Sequence, residues 1–198
     1  MTDRSEGPSR HIWVIAALNA LSEGGIDAVK IERLATQIGV SKAPFYWRFK
    51  DRSDLLSAVL DYWKDDLTNS LIAKVNAIPE PCERLEALMA LSLEEHADGL
   101  RISGVEGAIR AWAAQDRDVG DFVAGVDTVR VNYVAKELQA LGGSKETAET
   151  LAKGIYLALI GLYTARRYTP SLASNAAYAS IVRAALNSLS SETGQRDL

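Results

Sequence analysis

The chain has 198 residues, 47% hydrophobic and 24% charged, values that exclude a disordered or collagen-like polymer and leave room for a small domain beside a larger one. A net charge of -4 argues against a protein that coats nucleic acid indiscriminately. No apolar run reaches the roughly 18 residues of a bilayer span, and the opening MTDRSEGPSR lacks the hydrophobic stretch of a secretory signal, so a cytoplasmic address without membrane attachment is expected.

Almost every periodic stretch repeats with the helical period, and no alternating stretch bounded by hairpin turns is found, so the expected fold class is all-α. A first helix is predicted over about Ser9 to Glu23, with Ile12, Ile15, Ala16, Leu18 and Leu21 inward and Gly24-Gly25 as its stop. A second, from about Ile31 to Ile38, sets Ile31, Leu34, Ala35 and Ile38 on one side, and Gly39 ends it. Ser41 is placed to cap a third helix running through Phe49. Asp51 is placed to cap a longer fourth that carries Leu56, Val59, Leu60, Trp63, Leu67 and Leu71 inward. Pro79-Glu80-Pro81 breaks the pattern. Helices follow at about Cys82 to Ala97, Val105 to Gln115, Asp121 to Leu141, Ser144 to Tyr168 and Ser171 to Leu189, about nine in all. SETGQRDL, from Ser191, reads as a frayed tail. The lone Cys82 excludes an internal disulfide and a cysteine-built zinc site, and its plain reading is a spectator thiol.

Function concentrates in IERLATQIGVSKAPFYWRFKD, Ile31 to Asp51, two short helices joined by a tight turn at Ile38-Gly39-Val40. A helix that reads DNA must be short, propped by a partner helix, and furnished with side chains that reach base edges. Val40, Phe45 and Phe49 are spaced to pack back on Leu34, Ala35 and Ile38, leaving Ser41, Lys42, Ala43, Pro44, Tyr46, Trp47 and Arg48 outward. An outward Tyr-Trp pair is costly against water alone, whereas a phenol and an indole N–H are donors for phosphate oxygens. Lys42 and Arg48 suit guanine acceptors, and Ala43 suits a thymine methyl. Lys50 and Arg52 are expected to clamp phosphate. Charge agrees: between Lys30 and Arg52 six basic residues face only Glu32 and Asp51, and residues 1–60 carry +1 while the rest carry -5.

Ala16 to Leu56, AALNALSEGGIDAVKIERLATQIGVSKAPFYWRFKDRSDLL, closely resembles the DNA-binding domain of the tetracycline-repressor (TetR-type) family. The resemblance lies in the small Ala16-Ala17 pair, Gly25, Leu34-Ala35, Gly39-Val40, Tyr46-Trp47 and the basic group after them. It implies phosphate contacts near Thr36, Tyr46, Lys50 and Arg52, and groove contacts from Lys42, Ala43, Pro44 and Arg48. It further implies a three-helix helix-turn-helix DNA-binding domain over residues 1–52, then an antiparallel helical ligand-binding and dimerisation domain over 53–198. The implied partners are a second copy of the chain, double-stranded operator DNA and a small-molecule effector of unknown identity. Three positions depart from the family pattern: Lys30 stands where a hydroxyl residue often begins helix two, Pro44 where Ser or Thr is usual, and Arg48 where His is frequent. No operator sequence transfers across those changes.

The second half is read from its own residues. GIYLALIGLYTARRY, Gly154 to Tyr168, is apolar on more than one face, and Gly154, Ala158 and Gly161 would let another helix come close. That suits a dimer interface shared with Ile181, Ala185 and Leu189, the alternative being burial within a monomer. Trp63, Met89, His96, Arg110, Trp112, Tyr133, Tyr156 and Tyr163 combine apolar bodies with polar tips, as cavity linings do, though each could equally be plain packing. A buried Arg110 would need an anion, whether Glu106, Asp116 or an acidic ligand.

An enzyme is the competing class. It has little support: adjacent Glu94-Glu95-His96 face different sides of a helix, and no HExxH, GxSxG or phosphate-binding glycine loop occurs. No metal or cofactor is expected. A third reading keeps the helix-turn-helix for a protein partner, against which the basic concentration from Lys30 to Arg52 speaks.

Overall fold

Ser9 starts the first helix, α1 (Arg10–Gly24), by accepting a hydrogen bond from the Ile12 amide at 3.4 Å. The computed structural model describes the backbone of residues 7–196 and the side chains of residues 7–189. Within it, α1 buries Trp13, Val14, Ala16, Ala17, Leu18, Ala20 and Leu21. Periodicity had pointed to a stripe including Ile12 and Ile15, yet Ile12 is 45% exposed. The face is broader and rotated because α1 packs against three α-helices at once: α2 (Ile31–Ile38), α4 (Arg52–Lys64) and α7 (Ile102–Ala113). Three alanines on one helix allow that close approach.

The chain divides into two compact units, one made of residues up to Leu67 with Glu95–Gly120, the other of Thr68–Glu94 with the chain from Asp121. This grouping departs from the expected boundary after residue 52, because α7 belongs with the N-terminal helices through its packing on α1.

In the first unit, Leu55, Val59 and Trp63 of α4 and Val105 and Ile109 of α7 join the α1 residues in a single apolar core. Trp63 is wholly buried and its indole N–H donates to a Glu106 carboxylate oxygen at 2.8 Å, while Arg110 stands 3.6 Å from the other oxygen. The helix expected to reach Ala97 stops at Leu93, and a two-stranded hairpin follows, β1 (His96–Ala97) and β2 (Leu100–Arg101). Asp98 and Gly99 both take positive φ, 52° and 74°, as a tight two-residue hairpin turn requires. Asp-Gly is the strongest short signal for such a turn, and a reading by helical period passes over it. Asp98 accepts a hydrogen bond from Tyr62 of α4 at 2.7 Å, and the same oxygen lies 2.8 Å from Nε2 of His11 of α1. The Tyr62 hydroxyl is thereby held above its ordinary pKa, by burial first and by the Asp98 carboxylate second.

The long fourth helix is interrupted. Its residues 65–69 form a π-helical turn before α5 (Ser70–Asn76) resumes. One extra residue per turn shifts the buried stripe: Thr68 and Val75 are buried, whereas Leu67 and Leu71, expected inward, are half-buried. Counting this rod once, nine helices are found among the described residues, the number expected of the all-α class.

The second unit holds α5, α6 (Pro81–Leu93), α8 (Arg117–Ala140) from Asp121 onward, α9 (Lys145–Tyr168) and α10 (Asn175–Arg196). Ser144 caps α9 by accepting from the Thr147 amide at 3.1 Å. Arg84 donates to Glu137, 1% exposed, at 2.8 Å and to the Ile78 and Pro79 carbonyls, so one guanidinium closes the turn between α5 and α6 and neutralises a buried carboxylate. α10 is helical over residues 191–196, where a frayed tail was expected; residues 197–198 lie outside the described residues. Among the described residues no helix is long and apolar enough to cross a membrane.

Candidate nucleic-acid interface

The turn after α2 is built by Gly39, whose φ of 80° is left-handed backbone that a side chain would strain. Its amide donates to the Thr36 carbonyl at 3.1 Å and that of Val40 to the Ala35 carbonyl at 3.0 Å, so the end of α2 is closed as the chain reverses. α3 follows over Ala43–Tyr46, with turns to Arg48. It is shorter than the Ser41 to Phe49 expectation, and its cap position is Lys42, with no side-chain capping bond, rather than Ser41.

Phe45 pins this short helix. It is fully buried, edge-on to Trp13 at 5.2 Å and stacked on Phe49 at 5.3 Å. The opposite side is open: Tyr46 and Trp47 are 59% and 68% exposed, and Ser41, Lys42, Ala43 and Lys50 are exposed beside them. Pro44 and Arg48 are half-buried. Tyr46 is oriented by an edge-on contact with Phe45 at 5.2 Å. Two large aromatics exposed to solvent, between lysines, form a surface suited to stacking and to donating toward phosphate.

Three residues that the motif did not point to shape this surface. Arg10, on α1, lies over the Phe49 ring at 4.2 Å, donates to the Arg48 carbonyl at 2.9 Å and pairs with Asp54 at 3.4 Å. Asp54 in turn accepts from the Lys50 amide at 2.9 Å, while Asp51, the cap of α4, accepts from the Asp54 amide at 3.0 Å. Those bonds hold Asp54 below its ordinary pKa, the Lys50 amide contributing most. Glu32, near the start of α2, accepts from the Lys42 ammonium at 2.9 Å; that bond lowers the pKa of Glu32 and raises that of Lys42. An arginine on another helix gave no local signal, although the Asp51 and Asp54 spacing is a capping pattern.

Arg52 corrects an expectation. Its guanidinium donates to the Val29 carbonyl at 2.7 Å and the Ile26 carbonyl at 2.6 Å, so it braces the short turn before α2 instead of reaching outward to phosphate. Thr36 is exposed, with its hydroxyl donating to the Glu32 carbonyl at 3.0 Å.

The residues expected to line a cavity fall in both units. Trp63, Arg110 and Trp112 belong to the first, and the anion beside Arg110 is Glu106 of its own helix. His96 is exposed on β1, which rules it out as an interior residue; the reversal at Asp98-Gly99 places it there. Met89, Tyr133, Tyr156 and Tyr163 belong to the second. There Tyr133 donates to Asn76 at 3.0 Å, Tyr156 to Asp127 at 2.6 Å and Tyr163 to the Ser92 carbonyl at 2.6 Å. Of the interface candidates, Gly154 and Gly161 are exposed with open space where a Cβ would stand, Ala158 and Ala185 are half-buried, and Ile181 is 50% exposed. Leu189 is 3% exposed and packs near Gly143 of its own chain, so it is core.

A short exposed helix, propped by α2 across a glycine turn and flanked by lysines, has the geometry of a helix-turn-helix motif. Residues 15–59 match the family model of the bacterial regulatory proteins of the tetR family. The HTH-type transcriptional regulator BetI of Klebsiella pneumoniae (strain 342) is 29% identical over 107 residues, which are 53% of this chain and 52% of that protein, so the match spans about half the length of the curated relative. A transcriptional regulator from Rhodococcus sp. Rha1 superposes with a TM-score of 0.73 at 19% identity, over 92% of this chain and 96% of the other. A protein of Saccharomonospora viridis, described as a transcriptional regulator and solved in complex with choline, superposes with a TM-score of 0.71 at 19% identity, over 90% and 93% of the two chains. With these two structures the likeness is one of fold.

Proposed function

We propose that the chain is a cytoplasmic repressor that binds palindromic operator DNA as a homodimer and releases it when a small-molecule effector occupies its C-terminal helical part. The observation that carries this reading is the exposed side of α3, where Tyr46 and Trp47 stand in solvent between Lys42 and Lys50 while Phe45 and Phe49 anchor the helix from beneath. Lys42, Ala43, Pro44 and Arg48 read the major groove, and Ser41, Thr36, Tyr46, Trp47 and Lys50 contact the backbone. Dimerisation is supported by the open faces of α9 and α10, where Gly154, Leu157 and Gly161 and then Ile181 leave apolar and small residues uncovered. Two copies of α3 then enter successive major grooves about 34 to 36 Å apart. The choline held by a protein of the same fold supports an effector in the second half, where Met89, Tyr133, Tyr156 and Tyr163 are the candidate lining. Release needs only that the effector prefer the conformation that does not fit DNA.

A salt titration tests the DNA half. Binding to duplex DNA should weaken steeply from 50 to 200 mM salt, by a factor on the order of 10³ or more for about six phosphate contacts. A protein that binds no duplex at the lower salt overturns the reading.

A further inference from the structure

Glu32 is the only carboxylate between Lys30 and Lys50, and it lies in contact with the lysine that leads α3. Nζ of Lys42 and Oε1 of Glu32 are 2.9 Å apart, with both side chains more than half exposed. Such an exposed pair contributes little to stability, and an acid on a phosphate-facing surface weakens attraction to DNA in general. It therefore needs a reason to be there.

We propose that Glu32 is a specificity-determining residue, forming with Lys42 a two-member unit that reads one G·C base pair in each half-site; the inference rests on the DNA-binding reading above. The unit offers a donor and an acceptor 2.9 Å apart. In the major groove, guanine O6 and cytosine N4 are hydrogen-bonded to each other, so they present an acceptor and a donor at about 2.9 Å. Lys42 meets O6 and N7 together, while the Glu32 carboxylate accepts from the cytosine amino group. An A·T pair also offers an amino donor and a carbonyl acceptor, but with two penalties. Adenine N7 sets a second acceptor against the carboxylate, and the thymine methyl crowds the site beside O4. Cytosine and guanine carry neither obstacle. On other DNA the carboxylate neutralises Lys42 and repels phosphate, so it suppresses wrong sites as well as favouring the right one.

The test is selection from a randomised duplex pool by the full-length protein, unaltered and as Glu32→Gln, each checked for an unchanged helical spectrum. The wild-type consensus should contain one strongly required G·C pair per half-site. Glu32→Gln should relax that position by about tenfold and admit adenine, which a glutamine amide suits. Its binding to the unselected pool should strengthen, with a salt slope steeper by about one unit as Lys42 is freed for phosphate. An unchanged consensus and slope in the variant overturn the proposal. If the wild-type protein enriches no sequence, the DNA-binding reading itself falls and takes this one with it.

Discussion

Arg52 and Arg10 lie close to the proposed DNA-facing side, yet both use their guanidinium groups on the protein. Arg52 donates to two backbone carbonyls in a part-buried turn, and hydrogen bonds from a charged donor are among the stronger ones. Arg52→Ala should cost about 1.5 to 3 kcal/mol in urea unfolding while leaving the salt slope of DNA binding as it was; a flattened slope would return Arg52 to the interface. Lys42→Ala should weaken the selected operator more than random duplex, and equal weakening of both would make Lys42 a phosphate contact. Asp54 gives a pH signature. Its folded-state pKa lies below the ordinary 3.8, so its contribution is complete above that value and is lost as pH falls through the lower folded value. The difference in melting temperature between wild type and Asp54→Asn should be constant near neutrality and vanish below the ordinary carboxylate range.

At the scale of elements, the helix-turn-helix depends on one backbone conformation. Gly39 sits at φ 80° with open space around a hypothetical Cβ, so a substitution there costs backbone strain rather than a clash. Gly39→Ala should destabilise by about 1 kcal/mol or more, read from thermal unfolding; an unchanged midpoint would mean the turn tolerates another conformation. The hairpin after α6 is a comparable device: Asp98 joins α1 and α4 through a single carboxylate oxygen, because the turn carries that oxygen to both His11 and Tyr62.

For the molecule as a whole, the uncovered residues of α9 and α10 require an explanation. Leu157 is 66% exposed and Ile181 50% exposed, and neither holds up the core of its own chain. If these faces meet those of a second copy, Leu157→Glu and Ile181→Glu should give folded monomers in sedimentation, with DNA affinity lost because each half-site is then bound alone. Dimers that persist in the double variant would place the interface elsewhere.

Local chemistry was legible in the chain. The helical class, the bounds of α2, the glycine turn, the Asp51 cap and the outward Tyr46-Trp47 pair follow from spacing, because each involves residues only a few positions apart. What tertiary structure decided lies between distant residues. The packing of α7 on α1 broadened the buried face of the first helix, Arg52 was drawn to carbonyls more than 20 positions away, and Leu189 was buried by its approach to Gly143. Periodicity reports which side of an element is apolar; it is silent on how many neighbours share that side and on which distant carbonyl or carboxylate a long side chain will meet. Those outcomes are settled only when the helices pack.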